Sequence, residues 1–170
     1  GRSENDGVVL AGIELGQTGV DVAAQELDFQ IRPARQQLRL TAQAARHSLC
    51  QHDGSAMFRL EPDLLLQQGT QTWVLDTKWK RLDAADRQNK YGLSQADFYQ
   101  LFAYGQKYLA GCGEMALIYP RTAQFSEPLP PFDFSPELRL WVLPFDLDED
   151  LLLAADDVDF PRCLSQPGQV

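Results

Sequence analysis

Two apolar segments joined by a short glycine-containing connection most constrain what this chain can fold into. Residues 57–66 and 72–79 are rich in leucine, valine and aromatic side chains, and residues 67–71, with Gly69, separate them. This pattern predicts two antiparallel strands connected as a hairpin. Pro62 lacks the backbone N–H that a strand ladder needs, which predicts an edge or a bulge at that residue.

A symmetric turn in this hairpin would place Asp63 opposite Asp76 and Leu65 opposite Val74. Directly opposed residues have Cβ atoms about 4.5 to 5.5 Å apart, and two bare carboxylates at that separation repel. A divalent cation would remove this conflict, and Mg²⁺ usually takes one or two carboxylates in proteins. Asp63 and Asp76 are therefore predicted to be metal ligands, with Mn²⁺ able to replace Mg²⁺.

Lys78 lies two residues after Asp76, so strand alternation predicts that both side chains share one face. A metal ion held by two carboxylates lowers the pKa of water, and an adjacent ammonium group stabilises charge on a phosphate. The arrangement is typical of phosphodiester hydrolysis. The alternative is a surface hairpin with an ordinary pattern of acidic and basic residues, because Asp-x-Lys is a common tripeptide.

A helix is predicted after the polar loop 81–92. Ser94-Gln95-Ala96-Asp97 fits the capping box that begins helices, and the pattern continues for about four turns, to Gly111 or Gly113. The residues available for the core are Phe98, Leu101, Phe102 and Leu109. Apolar runs at 115–119 and 138–143 predict two further strands, which together with the helix indicates an α/β domain.

Gln100, Tyr104 and Lys107 share one face of this predicted helix, because they are spaced i, i+4 and i+7. An amide, a phenol and an ammonium group in one stripe can bind a phosphate backbone and orient a catalytic lysine or water. A mixed amphipathic helix with a solvated face is the alternative.

The distribution of charge along the chain is more informative about binding partners than the net charge of -9. Seven acids and no Lys or Arg lie between Asp146 and Asp159, whereas residues 73–107 contain every lysine of the chain. Phosphate binding by the basic stretch is compatible with this distribution, and a solvated surface is the alternative. The chain has three widely spaced cysteines and no run of about 20 apolar residues, which predicts a cytoplasmic protein with reduced thiols and no membrane span.

Pro62-Asp63, Asp76-Thr77-Lys78 and Gln100-x-x-x-Tyr104 resemble, in order and spacing, the PD-(D/E)xK nuclease superfamily and its RecB-like branch. Residues 58–66, 74–80, 91–104, 117–120 and 144–147 are similar to the McrC family of the McrBC modified-cytosine restriction system. The resemblance implies a PD-(D/E)xK restriction-endonuclease-like fold, a mixed β-sheet flanked by helices. Residues 41–170 would form the nuclease domain with an acidic carboxy-terminal tail, and residues 1–40 are a poorly readable segment.

The resemblance also implies a function, a Mg²⁺-dependent DNA endonuclease subunit that acts on DNA containing modified cytosine together with a McrB-like AAA+ GTPase. Carried over by position, Asp63, Asp76 and the Thr77 carbonyl bind metal and Lys78 is catalytic. Gln100 and Tyr104 support the site, and Lys80 and Lys107 contact DNA.

Two other functions remain open from the sequence. One is a RecB-like exonuclease or repair nuclease that needs no GTPase. The other is a catalytically inactive scaffold or DNA-binding subunit.

Overall fold

A computed structural model describes residues 7–9, 26–29 and 38–154. In chain order its elements are β1 (Gly7–Val9), β2 (Glu26–Phe29), β3 (Leu38–Ala42), β4 (His47–His52), β5 (Ser55–Leu60), β6 (Leu64–Gln68), β7 (Gln71–Thr77), α1 (Gln95–Tyr108), β8 (Gly113–Pro120), β9 (Phe132–Asp133), β10 (Leu138–Asp146) and β11 (Leu151–Leu153). The predicted mixed α/β class is confirmed.

Nine strands form one mixed sheet in the order β1-β11-β10-β8-β7-β6-β3-β2, with β9 paired to β10. Strand β8 is parallel to both of its neighbours, β7 and β10, and the remaining pairs are antiparallel. Strands β4 and β5 form a separate two-stranded ribbon. The carboxyl ends of β7, β8 and β10 therefore lie at the same edge of the large sheet.

The β6–β7 hairpin has the predicted register, since Leu65 pairs with Val74 and Gly69 lies in the turn with a positive φ of 58°. The prediction of one strand over 57–66 is wrong. Strand β5 ends at Leu60 and pairs with β4, whereas β6 begins at Leu64 in the large sheet. Pro62 cannot donate to a ladder, so the chain leaves one sheet and enters the other there.

Helix α1 connects the parallel strands β7 and β8, close to the predicted start and end. The predicted capping box is wrong, because the Ser94 side chain makes no capping hydrogen bond. The Asp97 carboxylate instead accepts a hydrogen bond of 3.4 Å from the Tyr119 hydroxyl. Within 38–154, α1 is the one α-helix, as the helical pattern predicted, whereas the family resemblance implied a sheet flanked by more than one helix.

The helix lies close to the sheet at Gly105. A Cβ atom added there would lie 2.8 Å from Cδ2 of Leu138 and 3.0 Å from Sδ of Met115, so a larger residue would require these two core side chains to move. Leu101 is fully buried at this interface. The predicted core residue Phe102 is 45% exposed and lies against Phe134 at the margin of the layer.

Both faces of the central strands are buried, as expected for parallel strands. Met115 and Leu117 of β8 belong to the cluster on the helix side, and Ala116 and Ile118 to the cluster on the opposite side. This alternation fixes which β7 side chains face the helix.

The predicted segment 1–40 and the end of the acidic tail lie mostly outside the described residues. Strand β3 begins at Leu38 and pairs with β6 from Leu38 onward, so the large sheet includes residues on both sides of position 40. Among the described helices, none is long and apolar enough to span a membrane.

Candidate active site

Asp63, Asp76 and Lys78 converge at the carboxyl end of β7. Asp76 lies on β7, where it pairs with Leu117 of the neighbouring strand β8. It is 1% exposed. The Lys78 backbone N–H donates to the Ile118 carbonyl at 2.9 Å, which continues the β7–β8 pairing one residue beyond the strand. The Lys78 ammonium forms an ion pair with the Asp76 carboxylate.

Asp63 lies one residue before β6 and is held by side-chain and loop contacts rather than by a full ladder. Its Oδ2 accepts hydrogen bonds of 2.7 Å from both the backbone N–H and the hydroxyl of Thr77. Its carbonyl accepts a hydrogen bond of 2.8 Å from the backbone N–H of Gln43. The carboxylate is therefore fixed beside the end of β7, next to Asp76.

The two carboxylates influence one another. The pKa of Asp76 is raised to about 6: burial is the largest cause, the negative charge of Asp63 adds to it, and the hydrogen bond and charge of Lys78 oppose both effects. The Asp63 backbone N–H also donates to the Asp76 carboxylate. One ammonium group beside two carboxylates leaves negative charge in a partly buried place, an arrangement that is costly unless another cation binds.

The donor set fits a hard divalent cation. Asp63 and Asp76 supply carboxylate oxygens, and the Thr77 carbonyl is the backbone oxygen between Asp76 and Lys78. No cluster of three or more His, Cys, Asp or Glu residues suited to a metal occurs in 38–154 or the two short described strands. A metal here would thus rest on two carboxylates and leave other positions for water and substrate, the pattern typical of Mg²⁺.

Gln100 and Tyr104 lie on α1 and reach the backbone that leads to Asp63. The Gln100 side-chain amide donates to the Tyr104 hydroxyl at 2.7 Å, and that hydroxyl donates to the Glu61 carbonyl at 3.0 Å. Tyr104 is 2% exposed, and burial is the main cause that raises its pKa to about 12, so the phenol stays neutral and keeps its proton. The predicted pair therefore contacts the site through Glu61, two residues before Asp63.

The two other predicted residues stay separate from these contacts. Lys80 and Lys107 are exposed, and neither forms an ion pair with a described acid. The structure thus leaves both side chains free to meet a ligand without bringing them into the carboxylate cluster.

Tyr108 is a site-supporting residue that the sequence reasoning missed. Its hydroxyl lies within hydrogen-bond distance of the carbonyls of Ala44 and Leu60, the latter at 2.8 Å, and accepts from the Arg46 backbone N–H at 3.1 Å. These three residues lie at the open end of the β4–β5 ribbon, where β4 begins and β5 ends. The signal in the sequence was the spacing of Tyr104 and Tyr108, which places both phenols on one side of α1.

Tyr119 was also missed. It is fully buried on β8, and burial, followed by the negative charges of Asp97 and Asp76, raises the pKa of its phenol above the usual range. Tyr119 therefore remains a neutral hydrogen-bond donor that connects the first turn of α1 to the sheet.

This chain is similar to a known protein family and to chains of solved structures. No curated protein matches it. Two chains of solved structures match, and one belongs to a half-complex from a tetradecameric assembly of Thermococcus gammatolerans McrB AAA+ hexamers with bound McrC. That match has 17% sequence identity and a TM-score of 0.42, and it covers 54% of this chain. It covers 21% of the matched chain, so this chain spans about a fifth of that length.

The family comparison covers the site. The family described as McrBC 5-methylcytosine restriction system component matches residues 27–120, a range that includes Asp63, Asp76, Lys78, Gln100 and Tyr104. This range is more than half of the 170 residues. The chain belongs to the McrBC 5-methylcytosine restriction system component family.

Proposed function

We propose that this chain is the DNA-cleaving subunit, of McrC type, of a modified-cytosine restriction system, and that it hydrolyses phosphodiester bonds with Mg²⁺. The observation that carries the proposal is the convergence of Asp63, Asp76 and Lys78 in a site with uncompensated negative charge. Membership of the family supports DNA containing modified cytosine as the substrate. The PD-(D/E)xK assignment rests on the same three residues and their order in the chain.

Each residue has a distinct role in this proposal. Asp63 and Asp76 would hold the cation, with the Thr77 carbonyl as a third oxygen. When bound, Mg²⁺ would lower the pKa of the attacking water and offset negative charge on the phosphate. Lys78 keeps its ammonium group beside Asp76, and its side chain is 24% exposed, so it can also meet a phosphate and stabilise the charge that develops there.

Gln100 and Tyr104 hold the backbone beside Asp63 in position. Their hydrogen-bonded chain fixes the Glu61 carbonyl and therefore the direction in which the backbone enters Asp63. Small displacements of a catalytic group reduce rates substantially, because reactive geometries tolerate little error. We therefore assign both residues a positioning role.

The proposed partner is a McrB-like AAA+ GTPase, which would select the modified base and deliver DNA to the site. The support is the family itself, which is described as a component of a restriction system.

A calorimetric titration with Mn²⁺ tests the metal site without the partner. The wild-type chain should bind, and Asp63→Ala and Asp76→Ala should each abolish binding. Asp53→Ala, which removes an exposed carboxylate in the β4–β5 turn, is the matched control and should bind like wild type. A folded wild-type chain that binds no Mn²⁺ would contradict the proposal and favour the inactive scaffold.

Closed circular DNA separates the two nuclease functions. With the GTPase partner and a circular substrate that contains modified cytosine, an endonuclease linearises the circle. A RecB-like exonuclease leaves the circle intact and degrades only linear DNA. Linearisation that requires the partner supports the restriction function.

A further inference from the structure

We propose that residues 79–92, here named the basic loop, bind the phosphate backbone of duplex DNA beside the cleavage site. The inference deepens the proposed function and rests on it. The loop follows Lys78 directly and connects it to the start of α1. Its charged residues are Lys80, Arg81, Arg87 and Lys90, opposed by Asp83 and Asp86.

Both acids of the basic loop form hydrogen bonds within the loop. Oδ1 of Asp83 accepts a hydrogen bond of 2.9 Å from the backbone N–H of Ala85. The Asp86 carboxylate accepts hydrogen bonds of 3.1 and 2.9 Å from the side-chain amide of Asn89 and one of 3.2 Å from its backbone N–H. The two carboxylates therefore shape the turns of the loop.

The four basic side chains face outward. All four residues are exposed, and none forms an ion pair with an acid in the described part of the chain. The loop thus presents positive charge to solvent in a chain whose net charge is -9. These basic groups can bind a polyanion, because no acid in the described part of the chain pairs with them.

The basic loop is held in one conformation before any ligand arrives. The Asp83 backbone N–H donates to the Tyr91 carbonyl at 3.1 Å, and the Tyr91 N–H donates to the Asp86 carbonyl at 2.7 Å. Leu82 is 2% exposed and anchors the loop in the core, and the Tyr91 ring packs edge-on against Phe132. A loop that is already ordered loses little conformational entropy when it binds.

Backbone strain occurs at the end of the loop. Lys90 and Tyr91 have positive φ angles of 56° and 59°, which is unusual for two successive residues with side chains. Such conformations persist only where the surroundings impose them, and they concentrate at functional sites. Here the strained pair sets the position of the Lys90 side chain.

The position of the loop favours DNA over an acidic protein as the ligand. Lys80 and Arg81 follow Lys78 by two and three residues, so their backbones lie within roughly 7 to 11 Å of it. A Cβ atom added at Gly92 would lie 3.7 Å from the Arg81 carbonyl, which shows that the two ends of the loop are adjacent. Lys80 and Arg81 therefore lie beside the site where a phosphodiester would be cleaved, and Lys90 lies at the adjoining end of the loop.

Trp79 supplies a local signal for this binding. It is 60% exposed, whereas the other two tryptophans, Trp73 and Trp141, are 3% and 1% exposed. A change in the exposed component of tryptophan fluorescence when duplex DNA is added therefore reports contact at the basic loop. Trp79→Phe should remove that change.

The test is binding of the full chain to a fluorescein-labelled duplex, measured by anisotropy in EDTA over a range of salt concentrations. The test variant carries Arg81→Gln, Arg87→Gln and Lys90→Asn, since Asn tolerates a positive φ at the last position. The matched control carries Arg39→Gln, Arg46→Gln and Arg59→Gln, which removes the same charge outside the loop. We expect the test variant to lose affinity about tenfold or more and to reduce the salt slope by about 2 to 3.

The outcomes are decisive. Loss confined to the test variant supports the proposal. Equal loss in both triple variants would overturn it, because binding would then follow net charge alone. Unchanged binding of the duplex by the test variant would also overturn it. The Mn²⁺ titration is independent of this assay, so failure of the loop and failure of the metal site can be told apart.

Discussion

Two buried aspartates lie at the same edge of the sheet, and their surroundings shift their pKa values in opposite directions. Asp76 near the end of β7 is 1% exposed and Asp146 at the end of β10 is 8% exposed. Burial raises the pKa of Asp76, and Lys78 only partly opposes this effect beside the second carboxylate of Asp63. The Arg121 guanidinium is the main cause that lowers the pKa of Asp146.

The difference lies in the number of donors around each carboxylate. Asp146 accepts from Arg121 and from the backbone N–H groups of Asp148 and Glu149, at 3.0 and 3.3 Å for the last two. Its charge is satisfied within the chain, which indicates a structural role. The excess charge at Asp76 needs a cation from outside, and perturbed groups of this kind concentrate at functional sites.

The largest expected effect is on cleavage, through Lys78→Met. The variant removes the ammonium group that faces the phosphate, so cleavage with the GTPase partner should fall about 10²- to 10⁴-fold. The measurement is the rate of linearisation of a modified circular DNA. Cleavage at the wild-type rate by a folded Lys78→Met protein would show that this lysine is not catalytic.

Arg121→Met is the counterpart at the other aspartate. It should destabilise the chain by about 1 to 3 kcal/mol, because the nearly buried Asp146 loses its charged partner. The cleavage rate of the folded variant should stay at the wild-type level. Denaturant unfolding measures the first effect, and an unchanged midpoint would show that the ion pair is not stabilising.

The pH dependence of stability in EDTA should distinguish the same two groups. A pKa of about 6 for folded Asp76 means that the folded state binds more protons than the unfolded state between about pH 4 and pH 6. Stability should therefore fall by at most about 3 kcal/mol between pH 4 and 6, and Asp76→Asn should remove this fall. Asp146 has the opposite sign, because its contribution is present above its unfolded pKa and is lost as the pH falls through its lowered folded pKa.

Thermal melts from pH 3 to pH 8 measure both parts of this profile. Asp146→Asn should reduce the loss of stability on the acid side and leave the fall between pH 4 and 6 in place. A wild-type profile that is flat between pH 4 and 6 would contradict the proposed environment of Asp76.

The smallest expected effect is that of Tyr104→Phe, which tests how Asp63 is held. Loss of the hydroxyl leaves the Glu61 carbonyl without this donor and should cost about 1 kcal/mol, with a decrease in cleavage of about tenfold. Tyr99→Phe is the control on the same helix, since Tyr99 is 66% exposed and bonds only to Gln95 in the described contacts. Equal effects of the two variants would exclude a positioning role for Tyr104.

The sequence predicted the parts that depend on short-range patterns. The β6–β7 register follows from alternation and from a turn that Gly69 permits, so Leu65 pairs with Val74 as expected. The position of α1 follows from helical periodicity after Ser94. The convergence of Asp63, Asp76 and Lys78 follows from that register, although their roles remain predictions.

Other parts depended on contacts between distant residues. The separation of β5 from β6 at Pro62 is one of them, because β6 enters the large sheet between β3 and β7, whereas β5 pairs with β4. Tyr108 reaches carbonyls 48 and 64 residues away in the chain, and Arg121 finds Asp146 across 25 residues.

By itself, the sequence determined the hairpin, the helix and the spacing of the candidate site residues, because periodicity and turn chemistry act over a few residues. Only the tertiary structure decided which acid lacks compensation, since burial and charge depend on the strands and side chains that pack around each carboxylate. The sequence placed Asp63 and Lys78 beside Asp76, but the burial that raises the pKa of Asp76 and the Arg121 guanidinium that lowers the pKa of Asp146 both depend on the tertiary structure.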